Sequence, residues 1–133
     1  MQKIKQNCII SSAAYAVPNS AIKYYDDETT KAPEVGDLIF GKVIELAHHR
    51  LLESKSARIH TIYEGTQAVF VMGNRYAPDQ YEGLVPDTYT ETIDQMSTGG
   101  VVAELKTKNQ FIRTPTKIKV LGYVCNAAGD IVN

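Results

Sequence analysis

The chain has 133 residues, 44% of them apolar, with 14 Lys and Arg against 15 Asp and Glu and a formal net charge of −1. That length suits one domain whose core holds without metal or disulfide staples, and the composition excludes a wholly disordered chain. No apolar run approaches the roughly 20 residues of a membrane helix, and the run Cys8-Ile9-Ile10 is too brief for a signal-peptide core, so no membrane partner and a cytosolic address are expected.

Residues 1–34 read as an N-terminal arm. It holds the apolar run at Cys8, then Pro18, the acidic Asp26-Asp27-Glu28 and Pro33, with one or two strands expected to pack on the domain formed by residues 35–133. Residues 37–46 (DLIFGKVIEL) are rich in β-branched and aromatic side chains and predict a strand. Residues 57–63 and 66–72 predict two more, joined by Glu64-Gly65 as a tight hairpin turn. In residues 101–106 the alternation puts Val101, Ala103 and Leu105 on one face, opposite Glu104 and Lys106. Residues 117–125 (KIKVLGYVC) are a further strand, and Asn126-Ala127-Ala128-Gly129 has the form of a type I turn. Two short helices are expected. One spans residues 45–54, with Ile44, Ala47 and Leu51 near one stripe; the other spans 86–96, opened by Pro86-Asp87 and stopped by Gly99-Gly100. The sum is an all-β fold: a small antiparallel β-barrel with short helices and an N-terminal arm. A parallel α/β sheet is excluded because its crossover helices are missing.

The residues that carry catalysis elsewhere are not arranged for it here. Gly36 to Lys42 fits the start of a phosphate-loop pattern, but Val43 replaces the required Ser or Thr and the intervening residues are strand-like. His48, His49, Glu53 and His60 raise the question of a metal. On a helix, however, His48 and His49 would diverge by about 100°, so both hardly join Glu53 on one ion. There is no GxSxG, and Cys8 and Cys125, without a CxxC partner, are expected as buried free thiols. No enzyme activity, cofactor or metal is expected; a metal-dependent hydrolase using His48, His49 or His60 is the minor alternative.

The residues Val35-Gly36-Asp37-Leu38-Ile39-Phe40-Gly41-Lys42-Val43 resemble the opening strand of the S1-type RNA-binding domain, one of the OB-fold barrels. The lead-in from Ala32 to Asp37 is similar to the approach to that domain in exosome cap subunits. The stretches from Gly65 to Gly73 and Glu82-Gly83-Leu84-Val85 echo the family's next landmarks in order, so the resemblance covers Val35 to Pro86. It implies an OB/S1-like barrel and binding of single-stranded nucleic acid. Two positions depart from the family: Gln67 stands where the first of two stacking aromatics is usual, and Pro86 where a His is usual.

The candidate nucleic-acid-binding residues are therefore Lys42, Arg58, His60 and Phe70, if the first three barrel strands are adjacent, with Arg75 and Tyr76 on the loop beside them. The charge of −1 weakens a polyanion reading, but five bases (Lys106, Lys108, Arg113, Lys117 and Lys119) stand against Glu104 alone in residues 101–123. The expected function is a non-enzymatic module binding single-stranded RNA or DNA. The alternative is a protein–protein interaction or adaptor domain of a larger assembly or homo-oligomer, favoured by Tyr15, Tyr24 and Tyr25 in the arm.

Overall fold

A computed structural model of the chain describes residues 1–5, 7–76, 81–108 and 114–133, with the side chains of residues 107 and 108 left aside. Among the described residues twelve strands run in chain order: β1 Gln2–Lys3, β2 Ile9–Ile10, β3 Tyr24–Asp26, β4 Leu38–Glu45, β5 Leu51–Glu53, β6 Ile59–Thr61, β7 Gln67–Met72, β8 Arg75–Tyr76, β9 Tyr81–Leu84, β10 Thr92–Gln95, β11 Val101–Lys108 and β12 Lys117–Cys125. The fold is mostly β. The helical pieces among the described residues are the 3₁₀ turns Ser12–Ala14 and Asn19–Ala21. No helix among them is long and apolar enough to cross a membrane.

Ten strands share one mixed sheet. Its pairings run β12–β4–β7–β11, and β10 pairs with both β11 and β12, so these five strands meet in a ring. The expectation of a purely antiparallel arrangement is corrected, because β7 pairs in parallel with both β2 and β11.

The near-continuous apolar runs of β4 and β7 reflect burial on both faces. Ile39 and Val43 of β4 join Ala68, Phe70 and Met72 of β7, with Ile93, Val102 and Ile118, in a core inside the ring. Leu38, Phe40 and Val69 point the other way and meet Ile4, Ile10, Ala14 and Ile22. The first 34 residues thus contribute three strands to the sheet and a layer over its outer face. Gly41 faces the ring interior, where an added Cβ would lie 2.5 Å from Ile118 Cγ2 and 3.2 Å from Phe70 Cδ2, so a side chain there has no room.

Neither expected helix forms. In residues 45–54 the backbone turns outward for partners: Ala47 N donates to Thr116 Oγ1 at 3.0 Å and His48 N to the Thr114 carbonyl at 3.1 Å. The chain then continues as β5, where the alternation of exposed Leu51 and buried Leu52 has strand, not helix, period. In residues 86–96 pairing on both sides makes β10 a strand and buries Ile93 in the core. The hairpin at Glu64-Gly65 is corrected as well. Gly65 has φ +95° and Thr66 N donates to the Tyr63 carbonyl, so the turn exists. The strands it joins are not paired, because β6 belongs to a separate ribbon with β5 while β7 pairs with β4.

Other expectations hold. Val101, Ala103 and Leu105 share one face and pack with Tyr81 and Met96, while Glu104 and Lys106 form an ion pair at 2.7 Å. The Asn126–Gly129 turn closes with Gly129 N donating to the Asn126 carbonyl at 2.9 Å.

Candidate nucleic-acid interface

The N-terminal layer packs over the outer face of the sheet and meets the β5–β6 ribbon, whose Leu52 packs into the core inside the ring. Lys3 pairs with Tyr24 in the β1–β3 ladder, and Ile4 N donates to the Lys23 carbonyl at 2.8 Å, so Lys3, Lys5 and Lys23 gather at one place. The ribbon is tied on by a bridge between Ser11 and Ser54 and by Lys55 N donating to the Ile10 carbonyl at 3.0 Å. The Lys55 ammonium donates to the Val17 carbonyl and, at 2.8 Å, to Asn19 Oδ1.

Two cavities result. The first, about 420 Å³, is edged by Lys3, Lys5 and Lys23 over a floor that includes Ile4, Ile10 and Ile22, with Tyr24 on one wall. The second, about 270 Å³, is lined by Lys55, Arg58 and His60 together with Asn7, Ser54 and Ser56. They share Cys8, Ile10 and Asn19, so they adjoin. No Asp or Glu lines either among the described residues. Lys3, Lys5, Lys23 and Arg58 are exposed, and none of their side chains pairs with an acid among the described residues. His60 stands opposite Leu52 in the ribbon, and Leu52 is buried, so His60 shares the inward face. Burial pushes the Cys8 thiol up to about 11, against a smaller opposing effect of its backbone hydrogen bond. It adds no negative charge at neutral pH.

The six residues singled out by sequence do not form one surface. Arg58 and His60 line the second cavity. Phe70 is 0% exposed inside the ring and presents no face to a base. Lys42 lies on the opposite side of β4 from Val43 and so faces away from Phe70. Arg75 and Tyr76 line a separate cleft of about 330 Å³ with Leu84 and Lys106. There Arg75 Nη1 donates to the Met96 carbonyl at 2.8 Å, and Tyr76 is 79% exposed. Arg113 lies outside the described residues.

Lys3, Lys5, Lys23 and Lys55 escaped the sequence reading. The spacing of Lys3 and Lys5 around Ile4 signals a short strand, but nothing local shows which surface that strand joins.

A second polar cluster lies elsewhere. His48 and His49 contact each other and the ring of Tyr81, with centroids 4.8 to 5.8 Å apart. Among the described residues His49 Nε2 is buried without a hydrogen-bond partner. Burial first, then the neighbouring His48 and Arg75, hold the His49 imidazole down to about 4. His60 is in the ribbon instead, and no three His, Cys, Asp or Glu side chains are placed to share a metal among the described residues.

The chain matches no protein-family model, and no curated protein or solved structure matches it significantly.

Proposed function

We propose that this chain is a non-enzymatic module that binds single-stranded RNA or DNA in the groove formed by the two adjoining cavities. One observation carries the reading: Lys3, Lys5, Lys23, Lys55, Arg58 and His60 line two cavities that share Cys8, Ile10 and Asn19, with no described carboxylate in either. Phosphates gain from such a lining by counterion release, and the apolar floor with Tyr24 offers a surface for bases. Exposed Lys and Arg side chains contact phosphate without reading sequence, so weak sequence preference follows.

The ring of five strands around an apolar core, entered at Gly36 and crowded at Gly41, supports assigning the chain to the OB/S1-like barrels. In this reading the ligand face has moved from the aromatic positions of the second barrel strand to the N-terminal layer. Free thiols at Cys8 and Cys125 fit a cytosolic protein.

Fluorescence anisotropy with a labelled single-stranded oligonucleotide at low salt tests the proposal. Arg58→Ala is expected to weaken binding and to flatten the log–log salt dependence by about 0.7, one phosphate contact. Absence of binding by the unaltered protein removes it.

A protein-binding role is the second reading, and the ribbon favours it. Leu51 and Ile59, 43% and 52% exposed, lie on its outer face, with exposed Tyr63 just beyond. Light scattering of the unaltered protein and of Leu51→Asp addresses this: a dimer that the variant splits supports it, and a monomer throughout does not.

A further inference from the structure

We infer that the binding track does not end at the two cavities but crosses the sheet to a second cationic point formed by Lys42 and Lys119. The inference rests on the nucleic-acid reading above. Lys42 of β4 and Lys119 of β12 are direct register partners. Val43, Ile118 and Val120 beside them point into the ring, so the two lysines project from the outer face, the side of Phe40 and Val69. Like charges facing each other across a ladder repel. Neither ammonium has an ion-pair or hydrogen-bond partner among the described residues. Lys119 is exposed and Lys42 half-buried, so an incoming anion reaches both.

The pair is also connected to the groove. On its other side Lys42 is the register partner of Gln67, whose carbonyl accepts from Cys8 Sγ at 3.6 Å, and Cys8 lines both cavities. With strands about 4.8 Å apart, Lys119, Lys42 and Gln67 form a short row leading to Cys8 over about 10–15 Å. A single inorganic ion satisfies one end of this row. A chain of phosphates satisfies the cavity cations and the lysine pair together, which assigns a polynucleotide backbone as the ligand.

The test compares single-stranded oligonucleotides of about 4 and about 16 nucleotides over a range of KCl concentrations. For the unaltered protein the log–log salt slope is expected to be steeper for the longer strand by about 1.4, two extra phosphate contacts. The double variant K42Q/K119Q should bring the long-strand slope down to that of the short strand while leaving short-strand affinity unchanged. Its thermal midpoint should be no lower than that of the unaltered protein, which separates lost binding from lost folding. Arg58→Ala, in the groove, should weaken both lengths alike. Binding by the unaltered protein with a long-strand slope that K42Q/K119Q does not change overturns the inference and leaves the groove standing. Failure of the unaltered protein to bind either strand overturns both. Anionic phosphatidylserine vesicles are the control: if they alone bind, and K42Q/K119Q abolishes that binding, the pair serves a lipid surface and the inference is wrong.

Discussion

Phe70 and His49 show how burial decides what a side chain does. Phe70 fills the ring interior beside Gly41 and Ile118, so its contribution is to stability. Phe70→Ala is expected to cost about 3–5 kcal/mol in urea unfolding. Oligonucleotide affinity of the fraction that remains folded should be unchanged, whereas a stacking role predicts a loss of about 1–3 kcal/mol in binding. His49 is neutral in the folded chain because burial, His48 and Arg75 hold its imidazole down to about 4. The unfolded chain takes up that proton near pH 6.5. Below that pH the unfolded state binds a proton the folded state refuses, so stability falls as pH drops from about 6.5 to about 4. Thermal midpoints measured across that window should decline, and His49→Gln should flatten the decline. The sequence could not have sorted these roles, since Phe70 and Lys42 both sit in strands whose partners on each face come from distant segments.

At the scale of elements, the strands rich in β-branched and aromatic side chains announced themselves. β4 and β12 appear within a residue of where their β-branched and aromatic runs place them, and the alternation in β11 correctly names its two faces. The segments read as helices failed because their partners are remote: β10 is made a strand by pairing with two others, and residues 45–50 by donors taken up at Thr114 and Thr116. The lysine pair between β4 and β12 belongs to this scale too. Replacing one member with an acid, Lys119→Glu, converts a repulsive cross-strand pair into an attractive one. Stability in urea is expected to rise by about 0.2–1 kcal/mol. Long-strand affinity should fall in the same variant, and opposite signs in one protein cannot come from misfolding.

For the molecule as a whole, a charge of −1 hides a division of surfaces. Bases collect where residues 3–23 and the ribbon meet, while two of the salt bridges tie Lys31 and Lys117 to Asp37 and Asp94 at other points of the sheet. The single-sided groove was not legible because its cations come from residues 3–5, 23 and 55–58, separated along the chain and joined only by the β1–β3 ladder and the Ser11–Ser54 bridge. Backbone amide chemical shifts followed during titration with a single-stranded oligonucleotide show where on the molecule the strand sits. Shifts are expected to concentrate in residues 3–5, 7–10, 19–24 and 54–60, with weaker changes at 42 and 119. Shifts confined to residues 74–76 and 82–84, or no shifts at saturating oligonucleotide, would contradict that placement.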